Sequence, residues 1–397
     1  MIVGLLFGFL PLLIWLYLLL GHHFFWLLRE RDTLAVTAPD HWPSVVAIVP
    51  ARNEEDVIVR SLTSLLAQDY PGEFRVIMVD DQSEDRTATM AQVIADARLG
   101  VLKGGARPPG WTGKLWAMSQ GVAEAGAAEF FWFTDADIAH SPDNLRQLVA
   151  RAEDGRKTLV SLMARLQCCS SSEHFLIPAF VFFFDMLFPF GAVNDPNRKV
   201  AAAAGGCMLA RREALEAAGG LAAIRQHIID DCALARIMKK QGPIWLGLTN
   251  RSVSLRPYPR LGDIRRMVAR SAFAQLNYSP ILLIGTLIGL FIVYIAPVLG
   301  ALFAMYYVQL AAILAWAIMA VMFQPMLRFY RLSPLWGLLL PPIGVFYSVF
   351  TLDSAIQHWS GKGGMWKGRA QASDSEAVGH NNKASANKAV GRSEGGA

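Results

Sequence analysis

With 397 residues, 53% of them hydrophobic, 17% charged and a net charge of +5, the chain has room for one large catalytic domain plus extra segments. Its apolar share is high and its charged share low for a soluble globular protein, which points to a membrane protein. The basic excess is scattered, so no nucleic-acid patch is expected; a membrane surface or an anionic nucleotide suits it better.

Residues 1–22 read as an N-terminal transmembrane helix, because Ile2 to Gly21 carry no charge and about 20 apolar residues suffice to cross a bilayer. A cleaved signal peptide fits less well, since no basic segment precedes it and no small-residue site follows. Pro11 is placed to kink it. Arg29 and Arg31 come next, which by the positive-inside rule puts the following domain in the cytoplasm.

A cytoplasmic catalytic domain is expected over 40–275. Ser44–Val49 is a strand of the parallel-sheet type, ended by Pro50-Ala51-Arg52-Asn53-Glu54-Glu55, and Asp56–Gln68 has helical periodicity. Phe74–Val79 is a second strand, closed by Asp80-Asp81; Val101 and Leu102 form a short third. The loop Gly110-Trp111-Thr112-Gly113-Lys114 feeds a helix, and the aromatic run from Phe130 is a buried strand closed by Asp135 and Asp137. If that strand persists past Thr134, the two carboxylates share a side. Thr158–Gln167 reads as another strand. Strands alternating with helices imply an α/β fold, a mostly parallel sheet flanked by helices.

Phe175–Val193 is aromatic and nearly apolar but broken by Pro178, Asp185 and Pro189. It reads as an interfacial or membrane-dipping segment over 170–195, or as a buried core helix. Ile228-Ile229-Asp230-Asp231 opens a helix running to about Lys240. Ile281–Gln324 holds 44 residues without Lys, Arg, Asp or Glu, two spans breaking near Pro297–Gly300. Leu335–Leu352, interrupted by Pro341-Pro342, either crosses or turns back, so the C-terminal membrane region over 281–355 has two to three spans. Residues 371–397 have a disordered composition.

Four charged stations carry the chemistry. Asp80 and Asp81 follow the second strand, where carboxylates accept hydrogen bonds from a base and ribose; a turn and helix cap is the plainer alternative. Asp135 and Asp137 are hard oxygen donors suited to Mg²⁺ or Mn²⁺ bridging to phosphates. Asp230 and Asp231 open a helix, where capping explains one carboxylate and a second is better placed as a base. Arg266 and Arg270 are four apart on one helix face, after Arg265, and could clamp a departing diphosphate or bind lipid headgroups. None of the four cysteines forms a Cys-x-x-Cys pair, so no zinc or redox site is expected.

Pro-x-Arg-Asn-Glu after a strand, Val-Asp-Asp-x-Ser-x-Asp over Val79–Asp85, Gly-Lys at 113–114, Asp-x-Asp at 135–137 and Asp-Asp at 230–231 occur in that order. The set resembles family 2 glycosyltransferases of the GT-A fold, and among them the membrane-bound ceramide-glucosyltransferase-like enzymes. Residues 110–117, 133–140 and 228–235 look like the hopene-associated glycosyltransferases of bacterial hopanoid gene clusters. The resemblance implies a nucleotide-sugar donor, a UDP-sugar foremost, cradled by Pro50, Ala51, Arg52 and Glu54. Asp80 and Asp81 would bind base and ribose, Lys114 and Asp135 would face the donor, Asp137 with Asp135 would hold Mg²⁺ or Mn²⁺, and Asp231, beside Asp230, would be the catalytic base.

The family's (Gln/Arg)-x-x-Arg-Trp motif has only a partial counterpart in Met267-Val-Ala-Arg270-Ser271, so Arg270, with Arg266, is the diphosphate candidate. The implied protein is a multi-pass enzyme of the bacterial inner membrane, its catalytic domain facing the cytoplasm and its acceptor a hopanoid-like lipid. A processive polysaccharide synthase, or a non-catalytic membrane scaffold keeping the fold, are the rival readings.

Overall fold

The computed structural model describes residues 8–361 and the backbone of 365–366 and 369–370. An apolar helix, α1 (Leu10–Leu20), leads through a linker to β1 (Val45–Ala51), α2 (Ile58–Leu66), β2 (Phe74–Asp80), α3 (Thr87–Gln92), β3 (Leu99–Lys103), α4 (Gly113–Glu124), β4 (Phe130–Phe133), β5 (Ile138–His140), α5 (Asn144–Glu153) and β6 (Leu159–Arg165). Then come α6 (Ser171–Leu187), α7 (Phe190–Asn194), β7 (Met208–Arg211), α8 (Arg212–Ala217), α9 (Asp230–Lys239), β8 (Ile244–Ser254), α10 (Leu261–Ala269) and α11 (Ala272–Gln275). The chain ends in α12 (Pro280–Leu290), α13 (Ala296–Phe303), α14 (Tyr306–Met322), α15 (Gln324–Phe329) and α16 (Leu340–Trp359).

Eight strands form one sheet in the order β3-β2-β1-β4-β7-β6-β8-β5. The β1, β2, β3 and β4 pairings are parallel, as is β6 with β8; β7 and β5 run against their neighbours. The sheet is therefore mostly parallel and buried on both faces, which is why β1 reads as an unbroken apolar run with every residue buried. Helix α4 lies close over it at Gly121, where an added Cβ would stand 2.5 Å from Ile48 Cγ2.

β8 had no counterpart among the expected strands. Its second half, Thr249 to Ser254, is polar and carries no apolar alternation. Its place is set by pairing with β6 and β5 and not by local pattern.

Among the described residues three stretches are long and apolar enough to cross a membrane: Pro280–Phe303, Tyr306–Phe329 and Pro334–Trp359. Their outward residues are apolar; Ile281 and Tyr307 are each 80% exposed. Such a surface suits lipid and not water. The expected break near Pro297 does not occur. The helix continues to Phe303 through one π-helical turn, Phe291–Ile295. Pro297 has no N–H for the carbonyl four residues back, Val293, and the Trp15 indole on α1 donates to that carbonyl instead (2.9 Å). Pro341 and Pro342 fall in the first turn of α16, where a missing N–H costs nothing, so the last helix runs on to Trp359.

At the N-terminal end the described part of the expected span is the apolar helix α1, of 11 residues; residues 1–7, which the expected span 1–22 also includes, and the tail 371–397 lie outside the described residues. The 170–195 stretch forms α6, which packs between the sheet domain and the membrane-type helices. Phe182 meets Phe323 at 5.2 Å and Phe183 meets Tyr347 at 4.9 Å between ring centroids.

Gly121→Ala should lower stability by about 1–3 kcal/mol through overpacking against Ile48 and Val79. Thermal unfolding of the variant against the parent measures it, and an unchanged melting temperature would count against this helix–sheet contact.

Candidate active site

Open α/β sheets gather ligands at the carboxyl ends of their strands. Here β1 ends at Pro50-Ala51, with Ala51 in register with Asp80 of β2. The strand expected to carry both acidic residues past Thr134 stops at Phe133 instead. Residues 134–137 turn, and β5 leaves to pair antiparallel with β8. Asp135 and Asp137 therefore do not share a strand face, yet both line one cavity of about 620 Å³.

Buried hydrogen bonds fix that turn. Thr134 Oγ1 donates to the Gly206 carbonyl (2.9 Å) and contacts His140 Nε2 at 2.8 Å. A hydroxyl has one proton, so His140 carries its hydrogen on Nε2 and accepts at Nδ1, where Ser252 Oγ lies at 3.0 Å and Asn144 Nδ2 at 3.2 Å. Burial holds this imidazole down to about 3, so it stays neutral. His140 is thus a core histidine that ties the turn to β8.

The cavity wall holds six carboxylates, Glu54, Asp135, Asp137, Asp230, Asp231 and Asp263, and four cations, Lys114, Arg256, Arg266 and Arg270. Lys114 lies in the first turn of α4, capped by the Thr112 hydroxyl. There the helix dipole opposes a cation, and two carboxylates offset it: Asp135 Oδ1 at 2.9 Å and Asp230 Oδ2 at 3.0 Å. Burial would push the Lys114 ammonium down, but these charges outweigh it and hold it well above its ordinary range. Burial likewise works to raise Asp135, and Lys114 overrides it, so Asp135 stays ionised.

Arg256, just past β8, donates from Nε to Asp137 Oδ2 (2.8 Å) and from a terminal nitrogen to Glu54 Oε2 (2.5 Å). Sequence reasoning missed it, since no motif precedes it and its partners lie more than a hundred residues away. Glu173 stands behind this loop: it accepts from the Tyr258 backbone N–H (2.6 Å) and completes the capping box that opens α6.

Asp230 and Asp231 are the first two residues of α9. Asp231 Oδ2 accepts from the Gly205 N–H at 3.0 Å. Gly205 leaves room for the ammonium, since a Cβ there would stand 3.2 Å from Lys114 Nζ and the lysine would have to give by a few tenths of an ångström. Burial first, and then the Asp230 charge, push the Asp231 carboxyl up to about 6 against the pull of Lys114. A carboxyl raised in this way suits a proton acceptor near neutral pH.

The other expected residues divide into two groups. Pro50 and Glu54 line the cavity, and Arg266 and Arg270 line it from the α10 side, Arg266 paired with Asp263. Arg265 faces away, in a two-pronged pair with Asp353 on α16. Asp80 and Asp81 are buried beside Ala51 but do not line this cavity. Arg52 is buried and donates to the carbonyls of Asp81 (2.7 Å) and Gln82 (2.6 Å), so it ties the two strand-end loops together.

Among the described residues no group of three or more His, Cys, Asp or Glu side chains forms a ready metal cage. Mg²⁺ and Mn²⁺ ask for less, one or two carboxylates with phosphate oxygens completing the shell. Asp135 and Asp137 meet that requirement, in a wall where carboxylates outnumber cations by six to four, so the donor set fits a divalent cation.

Residues 46–219 match the family model "Glycosyl transferase family 2". The chain is 34% identical over 125 residues to the succinoglycan biosynthesis protein ExoO of Rhizobium meliloti (strain 1021), covering 29% of this chain and 32% of that protein. It is 29% identical over 219 residues to a 4,4'-diaponeurosporenoate glycosyltransferase of Staphylococcus aureus (strain bovine RF122 / ET3-1), covering 54% of this chain and 56% of the relative. It thus spans between a third and a little over half the length of these relatives. A mannosyltransferase from Pyrobaculum calidifontis, solved in complex with GDP-Man and Mn²⁺, superposes with a TM-score of 0.53 at 19% identity, over 89% of this chain and 99% of that one. Residues 46–219 are accordingly a family 2 glycosyltransferase domain, and the fold is GT-A.

Replacing Lys114 by Met would leave Asp135 and Asp230 facing each other without a counter-charge. The expected loss is about 2 kcal/mol, below the ~3–5 of a fully buried pair, because the Asp135 side chain is 36% exposed. Chemical denaturation measures it, and Lys114→Arg should recover part of the loss.

Proposed function

We propose that the chain is a membrane-anchored glycosyltransferase that moves a sugar from a nucleoside-diphosphate donor, a UDP-sugar in the first instance, to the hydroxyl of a lipid. The observation that carries this reading is the meeting of Asp135, Asp137, Lys114, Asp230 and Asp231 around one cavity at the carboxyl edge of the sheet.

In the proposed reaction the anomeric C–O bond of the donor breaks and its electron pair leaves with the nucleoside diphosphate. The acceptor oxygen forms the new bond to that carbon and its proton passes to Asp231. A single displacement of this kind inverts the anomeric centre. Glu54 and Pro50 bound the donor's end of the cavity, and Arg266 and Arg270 meet the departing diphosphate. Asp135 and Asp137 would hold Mg²⁺ or Mn²⁺, which supplies Lewis-acid neutralisation of the leaving charge. The lipid acceptor is favoured by the three membrane-type helices beside the site, and a relative that acts on 4,4'-diaponeurosporenoate supports an apolar acceptor. A hopanoid-like polycycle is the acceptor we favour within that class.

A cytoplasm-facing domain in a bacterial inner membrane accords with the basic residues. Arg31 from the linker lies over Phe329, next to Arg328 at the end of the second membrane-type stretch.

Asp231→Asn is expected to abolish transfer while nucleotide-sugar affinity stays within about twofold, since only the proton acceptor is lost; full turnover by that variant would remove Asp231 from the mechanism. Because the base must be ionised, kcat/KM should fall on the acid side with an apparent pKa near 6 and level off above it. EDTA should stop turnover and Mn²⁺ restore it, measured as nucleoside diphosphate released.

A further inference from the structure

A second cavity, of about 380 Å³, adjoins the first. Phe180, Phe184, Ile228, Asp230, Asp231 and Arg270 belong to the walls of both. Past that shared stretch the character changes. Phe183, Met186 and Phe188 of the α6 region, Leu290 of α12 and Tyr347 of α16 line it. On α12 the residues around Thr286 face outward as bare hydrocarbon: Ile284 is 58% and Ile288 55% exposed. The apolar cavity is therefore built from helices that a bilayer would surround, and it leads to the carboxylate whose protonation is shifted toward neutral pH.

We propose that this cavity is the acceptor subsite, and that it holds the apolar body of a lipid-soluble alcohol with its hydroxyl at Asp231. The inference rests on the transferase reading above and adds where the acceptor lies and what it is made of. A sugar or peptide acceptor would leave most of its polar groups without partners against this wall, at a cost no hydrogen bond recovers. A hydrocarbon body loses nothing there and brings one polar end to the junction. Arg270 is exposed and lines both cavities at that junction. At about 30 Å³ for each water-sized group, the space takes roughly a dozen methylene-sized groups. A longer acceptor would trail into the bilayer between α6 and α12.

The full chain in phosphatidylcholine nanodiscs is irradiated with farnesol bearing a diazirine, and the labelled peptides are mapped. Labels are expected in 180–188 and 268–290. Ala272→Trp and Thr286→Trp, which fill the cavity from two different helices, should each cut that labelling about tenfold while nucleoside diphosphate affinity stays within about twofold. Unchanged labelling in both variants overturns the subsite, as does equal labelling of the same peptides by a diazirine phosphatidylcholine, which would make it a seat for bulk lipid. Labelling of the cavity in a protein that binds no nucleotide would support the cavity and remove the transferase reading. Nucleotide binding with Asp231-dependent turnover, and labels only on outward helix faces, would remove the subsite alone.

Discussion

Lys114 between Asp135 and Asp230 is the contact on which the site depends. Three elements distant in the chain meet at one ammonium: the start of α4, the turn after β4 and the start of α9. Buried carboxylates repel one another unless a counter-charge sits between them, and a lone buried ammonium would give up its proton. Each group thus makes the others' ionised form tolerable. The arrangement also leaves the charges unequal. Asp135 is held ionised, whereas Asp231, one residue beyond the paired Asp230, is left with a raised affinity for protons. A single cation in an off-centre position separates an electrostatic role from a proton-accepting one.

The sheet domain and the membrane-type helices are bound together by specific contacts. α10 is pinned to α16 by the Arg265–Asp353 pair, and Ser354 accepts from the Phe273 N–H (3.0 Å) while donating to the Ala269 carbonyl. α6 is held from the other side, where the Tyr347 hydroxyl donates to the Leu176 carbonyl at 2.9 Å. Both helices line the active cavity. A polar bond to a helix with an apolar outer face is hard to replace by water, so these ties fix the position of the cavity's carboxylates relative to the membrane-type helices.

The acidic stations were legible because each interrupts an apolar run, and a carboxylate placed where the strand pattern calls for Val or Ile has to be accounted for. The parallel core was legible for the same reason, in the apolar runs of β1 and of Val76–Val79 in β2. What stayed hidden was set by distant pairing. β8 is half polar and owes its place to β6 and β5, and with it went Arg256, the partner of Asp137 and Glu54. The early end of β4 was hidden too, because it is fixed by the His140 contacts with Ser252 and Thr134 and not by the residues of the turn. Pro297 misled in the opposite direction. Its usual effect as a helix breaker is cancelled by an indole from the far end of the chain.

That indole has a consequence for how the protein is made. Trp15 and the Val293 carbonyl are separated by 278 residues. α1 is synthesised before the sheet domain, and the acceptor for its ring N–H only after it. Until then the early helix has no internal partner for that group, and the interfacial zone, where indoles find lipid carbonyls and water, is where it can wait. The seam between α1 and the α12–α13 stretch therefore closes only after the sheet domain between them has been made.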